Sequence, residues 1–185
     1  MYCGSNKTAM GSQRHIAEAM MRLMQEKPFS QISVSELCRE AGISRQTFYT
    51  LFSSRENVMI FTLQAQCCDM REDGEAHREA ACKHDRLQTL CGGYSRYLVS
   101  NRDLIRKLVE NQLDYLLYDS FFEALNSADC LLSEADPALR RYAAGFYAGG
   151  VSRVARQYAL EGCYASETQL EQLLMQLFTG ALFRK

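Results

Sequence analysis

The sequence predicts an all-α fold of about nine helices, an N-terminal three-helix module joined to a larger helical domain. Three observations carry this. Apolar residues recur at helical spacing through every long periodic segment, and none alternates as a half-buried strand does. Only two prolines, Pro28 and Pro137, interrupt 185 residues, so long helices can run unbroken. Two short helical segments near the N-terminus are separated by a turn containing Gly42. The division expected is residues 1–54 for the first module and 55–185 for the second.

Ile16, Ala19, Met20, Leu23 and Met24 fall at i, i+3, i+4, i+7 and i+8. They place a first helix over about Ser12–Glu26, closed by Pro28. Ser33-Val34-Ser35-Glu36 reads as a capping box, with the serine hydroxyl on a free amide and the glutamate reaching back. It opens a second helix with its stripe at Val34, Leu37, Cys38 and Ala41, and Gly42 is suited to the left-handed stop. Ser44 caps a third short helix running to Phe52. Ser53-Ser54-Arg55-Glu56 reads as another capping box, starting a longer helix with Val58, Phe61, Ala65 and Cys68 on one side. The charged stretch Arg71–Asp85, with Gly74 inside it, is expected to break the chain. Helices then follow over about Arg86–Ser100, Asp103–Glu110 and Leu113–Leu125. Asp136-Pro137 is a start signal for a helix to about Glu161, with Gly162 at its end. Ser166 caps the last helix, which carries Leu170, Leu173, Leu174, Leu177 and Phe178.

Composition narrows the function classes. The net charge of −1 argues against a uniformly basic nucleic-acid coat. Residues 1–60 nevertheless hold seven Lys/Arg against five Asp/Glu, and the remainder 14 against 17, so a mildly basic head sits on an acidic body. No apolar run approaches the roughly 18 residues of a membrane span, and the first residues lack a signal-peptide core. A cytoplasmic location without membrane attachment is expected. Eight cysteines at irregular spacing fit reduced thiols better than a disulfide framework. Three histidines, with no phosphate-cradling glycine loop and no nucleophile motif, leave an enzyme reading nothing to assemble. No cofactor is expected.

Two short helices around a glycine-containing turn describe a helix-turn-helix, in which the first helix braces the second and the second enters the major groove. That geometry needs polar residues on the outer face of the third helix and apolar anchors beneath. Arg45, Gln46, Thr47 and Thr50 supply the first, and Phe48, Leu51 and Phe52 the second. Residues 14–60 resemble the TetR/AcrR DNA-binding module. The matching positions are Ile32-Ser33-Val34-Ser35-Glu36-Leu37, Ala41-Gly42-Ile43-Ser44, Thr47-Phe48-Tyr49, Phe52 and Arg55-Glu56. The resemblance implies a transcription regulator that acts as a homodimer on an inverted-repeat operator in double-stranded DNA, most simply as a ligand-responsive repressor. It further implies phosphate contacts at Ser33, Tyr49 and Arg55, the last where lysine is usual. Base reading falls to Arg45, Gln46 and Thr47 in the part of the helix that Ser44 opens, with Thr50 on the same face. Gln46 stands where glycine is common and adds a side chain able to pair with adenine. Leu51 and Cys38 also depart from the usual residues.

The second domain is read less directly. Phe146-Tyr147-Ala148-Gly149-Gly150-Val151, Tyr158-Ala159-Leu160-Glu161-Gly162 and Ser166 resemble one C-terminal family of these regulators. There the last two helices form the dimer interface, which places Gly145, Gly149, Leu170 and Leu174 at it. Close packing inside one subunit is the competing reading of the glycines. Tyr94, Tyr97, Tyr115 and Phe122 are candidates for the wall of a small-molecule pocket, against an ordinary core. His77, Cys82, His84 and Cys91 with Cys67 and Cys68 raise a redox- or metal-responsive alternative. Their spacing fits no tight zinc pattern, and no metal is expected.

Overall fold

The computed structural model describes residues 7–75, 83–127, 136 and 138–181, with side chains described from residue 9 and outside 66–86, 124, 126 and 127. Among the described residues the secondary structure is helical throughout, and no helix is long and apolar enough to cross a membrane. The chain divides into two compact units, Met1–Ala65 and Gln66–Lys185. The first unit thus takes in the opening turns of the fourth helix.

In the first unit, α1 (Lys7–Glu26), a 3-10 turn at Phe29–Gln31, α2 (Val34–Glu40), α3 (Arg45–Leu51) and the start of α4 (Arg55–Glu75) follow in order. The first stripe is the inner face of α1: Ile16, Ala19, Met20, Leu23 and Met24 are all buried. With Phe29, Ile32, Leu37, Cys38, Phe48, Leu51, Phe52, Val58 and Met59 they form a core large for so short a module. Gly42, at φ 67°, ends α2 as expected. Its amide bonds Arg39 O at 3.3 Å and the Ile43 amide bonds Cys38 O at 2.9 Å, the paired bonds of a left-handed helix stop.

The caps differ in detail from the expectation. Ser33 Oγ accepts the Glu36 amide at 3.2 Å, but the Glu36 carboxylate does not return to Ser33. It pairs with Lys27 Nζ, because a charge-assisted bond across the α1–α2 connection outcompetes a neutral amide. The Lys27 ammonium holds the Glu36 carboxyl below the usual glutamate range. At α4 the cap is Ser54, one residue beyond the expected Ser53. Its Oγ donates to Asn57 Oδ1 at 2.9 Å and accepts the Asn57 amide at 3.3 Å, so Asn57 takes the place expected for Glu56. Phe52 is extended and lies outside α3. On α4 the buried side is Val58, Met59, Thr62 and Leu63, with Phe61 half-buried and Ala65 exposed. The Cys68 side chain lies outside the described residues. The expected break is also shorter: α4 continues through Gly74 to Glu75. A single glycine costs a helix only about 1 kcal/mol relative to alanine, and its charged neighbours are good helix formers.

The second unit contains α5 (Lys83–Ser100), α6 (Arg102–Glu110), α7 (Tyr115–Ser127), α8 (Arg140–Leu160) and α9 (Glu167–Thr179). α7 and α6 pack on α8, and α9 packs along α5. The inner face of α8 is small, with Ala144, Ala148, Ser152 and Ala155 buried, which lets its neighbours approach closely. Tyr94 Oη donates to Val151 O at 2.7 Å and ties α5 to α8. Arg156 and Asp114 pair at 3.0 Å. Asp136 does open the eighth helix: its Oδ1 accepts the Ala138 amide at 2.9 Å and its carbonyl accepts Leu139 and Arg140. Regular helix starts only at Arg140, and Pro137 lies outside the described residues. Ser166 forms a complete capping box with Gln169.

Candidate nucleic-acid interface

α3 owes its position to what lies beneath it. Phe48 is fully buried, packed edge-on with Tyr49 at 5.4 Å and tilted against Phe52 at 6.0 Å. Phe52 in turn meets Phe61 at 5.7 Å. Anchored from below, the seven-residue helix turns Arg45, Gln46, Tyr49 and Thr50 to solvent, with Ser44 exposed at its cap. Tyr49 is 53% exposed although its ring edge is fixed by Phe48, so its hydroxyl is held outward at little entropic cost.

The hydrogen bonds sort these residues. Ser44 Oγ accepts the Thr47 amide at 3.0 Å and bonds Thr47 Oγ1 at 2.9 Å. Thr47 is half-buried, and both hydroxyls serve the cap. Thr50 Oγ1 donates to Gln46 O at 2.9 Å, which leaves it acceptor capacity only. Arg45, Gln46 and Tyr49 are therefore the side chains on this face whose polar ends point outward without a bond that closes the helix. Ser33 is exposed at the start of α2. Cys38, under α3, is a buried thiol whose titration is pushed up by burial, against a weaker opposing influence of Arg45; it behaves as a small apolar residue.

Arg55 stands apart from this group. It is half-buried, and its Nη1 donates to Phe29 O at 3.0 Å and to Ile32 O. The guanidinium lies 4.8 Å from the centroid of the Phe29 ring. No local sequence pattern announces this arrangement, because the partners are 26 and 23 residues away.

The expected pocket residues scatter. Tyr94 and Tyr97 are buried and pack with Phe121, Tyr94 edge-on at 4.9 Å, so they fill the core of the second unit. Tyr115 is 52% exposed. Phe122 alone borders an open groove of about 640 Å³, shared with Tyr118, Ala138, Arg141, Tyr142 and Gly145. The Arg141 guanidinium stands 5.8 Å from the Phe122 ring centroid.

The expected interface residues scatter similarly. Leu170 and Leu174 are 3% and 1% exposed, on the helix that packs along α5 of the same chain. The apolar stripe has two sides, and these two leucines take the inner one. A Cβ on Gly145 would sit 3.4 Å from Tyr118 Oη, so this glycine serves α7–α8 packing. Gly149 has open space above it. The outward apolar residues are Tyr142, Phe146 (78% exposed), Leu160, Tyr164, Leu173 and Leu177. The Tyr147 and Phe178 rings, 5.1 Å apart, join α8 to α9 between them. A stripe that repeats every three to four residues does not by itself reveal which members face inward.

Of the sulfur and histidine cluster, only the Cys91 side chain falls within the described residues. It is buried, and burial, with Glu171 adding to it, pushes its thiol up to about 12, far from a reactive thiolate at neutral pH. His77 and Cys82, and the side chains of Cys67, Cys68 and His84, lie outside the described residues. Among the described residues no three His, Cys, Asp or Glu side chains form a metal-binding group.

Comparison with known proteins bears on the whole arrangement. Residues 16–60 match the family model of bacterial regulatory proteins of the tetR family. Among characterised proteins, the dhaKLM operon transcriptional activator DhaS of Lactococcus lactis subsp. lactis (strain IL1403) is 28% identical over 127 residues, covering 61% of this chain and 64% of DhaS. The transcriptional regulator EthR of Mycolicibacterium smegmatis is 47% identical over 45 residues, which are 24% of this chain and 21% of EthR. The chain thus aligns with less than two thirds of the length of these relatives. Among solved structures, Lin0861 from Listeria innocua superposes with a TM-score of 0.79 at 15% identity, covering 98% of this chain and 96% of its own. The architecture is therefore shared where the sequence is not.

Proposed function

We propose, on the premise that this chain is a member of the TetR family of bacterial regulatory proteins, that it works as a homodimer on an inverted-repeat DNA operator and represses transcription until a small molecule releases it. The single observation that carries the DNA-reading part is the outer face of α3, where Arg45, Gln46 and Tyr49 are exposed above the buried Phe48. Arginine and glutamine make paired hydrogen bonds to guanine and adenine, and a tyrosine hydroxyl donates to phosphate. Ser33, Ser44, Thr47 and Thr50 complete the face by holding the two short helices in shape.

Dimerisation rests on a different surface. Tyr142, Phe146, Gly149 and Leu160 follow one face of α8, and Leu173 and Leu177 stand outward on α9. Large apolar side chains exposed on a folded domain, here interrupted on α8 by Arg153, mark an interface. A second copy is the partner it suits, since two-fold symmetry places two readers on two half-sites. Repression is the simplest consequence of a dimer seated on a promoter. DhaS, named as an activator, is the relative whose sign is opposite. The effector is assigned to the groove bordered by Tyr118, Phe122 and Arg141, whose aromatic walls beside the Arg141 guanidinium suit an aromatic or acyl carboxylate. Such a ligand acts only through its differential affinity for the two states.

Selection of binding sites from random duplex DNA tests the reading. The enriched sequences are expected to be inverted repeats, with half-site centres about 34 Å or a multiple of that apart. Enrichment of single, asymmetric sites would exclude the dimeric reader.

A further inference from the structure

We propose that Arg55 acts in DNA binding as a positioning residue, its guanidinium clasping the loop that leads into α2 as its main role in place of a phosphate contact. The inference rests on the DNA-reading function above and on the geometry of one guanidinium. Nη1 carries two hydrogens, and the two carbonyls it meets, Phe29 O and Ile32 O, use both. The cation is seated over the Phe29 ring, which is itself buried. These partners bracket the Phe29–Gln31 turn and end at Ile32, the residue before the α2 cap Ser33. Phe29 O also accepts the Ile32 amide at 3.1 Å, so the clasp closes on an already tight turn.

The same loop is held from its other side. Lys27, just beyond α1, pairs with Glu36 in the first turn of α2. The connection between α1 and α2 is thus fixed by two cations, one reaching a carboxylate and one reaching the backbone. α2 packs on α3, so what fixes the start of α2 fixes the direction of the helix that carries Gln46 and Tyr49. A planar fork stacked on an aromatic ring can hold two carbonyls at once. A lysine ammonium on a flexible stem keeps the charge but loses the stacking and the fork.

The two roles separate experimentally. Arg55→Lys, Arg55→Gln and Phe29→Leu are titrated by fluorescence anisotropy against a duplex selected by the wild-type chain, over a range of salt concentrations. Far-UV circular dichroism confirms that each variant is folded at the assay temperature. If the clasp keeps the module competent, its loss reduces the competent fraction and raises the apparent Kd in proportion. Arg55→Lys and Phe29→Leu are each expected to weaken binding by about tenfold, the size of one charge-assisted hydrogen bond. The salt dependence is expected to match that of the wild type for all three. A phosphate contact gives the reverse pattern: Arg55→Lys binds as wild type, and Arg55→Gln lowers the salt slope by about one. That result, or wild-type affinity in both Arg55→Lys and Phe29→Leu, overturns the proposal. Amide hydrogen exchange at Ile32 provides a readout without DNA. Faster exchange in folded Arg55→Lys is expected, and unchanged exchange overturns the clasp. A wild-type chain that binds no duplex overturns the DNA-reading function instead, and the exchange result alone then decides the clasp.

Discussion

Replacing Phe146 and Leu177 together by glutamate is expected to leave the chain folded but monomeric and to abolish operator binding at working concentrations. Both side chains are exposed in the single chain, on α8 and α9, so two added charges leave the buried core untouched and remove only surface contacts such as that of Phe146 with Tyr147. In a dimer they would be buried, and an unpaired buried carboxylate is strongly unfavourable. Loss of the second reader removes the effective-concentration advantage of bivalent binding, about 10²–10⁴ in affinity. Light scattering reports the mass, and anisotropy on an inverted-repeat duplex reports the binding. Dimers of undiminished affinity would move the interface elsewhere. Leu174→Glu does not serve as the diagnostic variant, because Leu174 is buried within the subunit and its replacement unfolds α9 from α5.

The second large effect is expected at Phe48→Ala. Phe48 has no exposed surface and meets both Tyr49 and Phe52. Truncating a buried phenylalanine costs about 3–5 kcal/mol. Against the 5–15 kcal/mol that stabilises a typical domain, that loss strips the reader of most of its margin. Denaturant unfolding followed by far-UV circular dichroism should show a first transition moved to much lower denaturant, with DNA binding lost at temperatures where the second unit remains helical. An unmoved transition would mean that α3 is held by something other than its aromatic underside.

The two predictions fall on opposite sides of what the sequence makes legible. The reader module was legible because its signals are local. A serine before an apolar stripe, a glycine after it and a polar–apolar alternation at helical spacing each act within one or two turns. Ser33, Gly42, Ser44 and Phe48 all take the roles those signals assign. What was not legible depends on chain segments far apart. Glu36 leaves its capping box for Lys27, and Arg55 turns to carbonyls more than 20 residues away. Neither choice is visible until the helices are packed. The second unit shows the same limit. Leu170 and Leu174 share a stripe with Leu173 and Leu177, and only the presence of α5 determines which pair is inside. Tyr94 and Tyr97 are as aromatic as any pocket wall, yet they stack on each other and Phe121 packs edge-on against both. Helix boundaries moved for a simpler reason: Gly74 is tolerated inside α4, and the regular turns of α8 begin only at Arg140.

The central claim is that the outer face of α3 reads DNA, and one measurement tests it most directly. The affinities of the wild type, Gln46→Ala and Tyr49→Phe are determined on a selected duplex and on every single-base variant of one half-site. Both side chains are exposed, so neither change should alter stability. Gln46→Ala is expected to flatten discrimination at one base pair per half-site by about 1–3 kcal/mol and to leave the other positions unchanged. Tyr49→Phe is expected to weaken binding to every sequence by the same factor, since a phosphate contact carries no sequence information. If both variants reproduce the wild-type affinities at all positions, α3 does not face the bases, and the account fails at its centre.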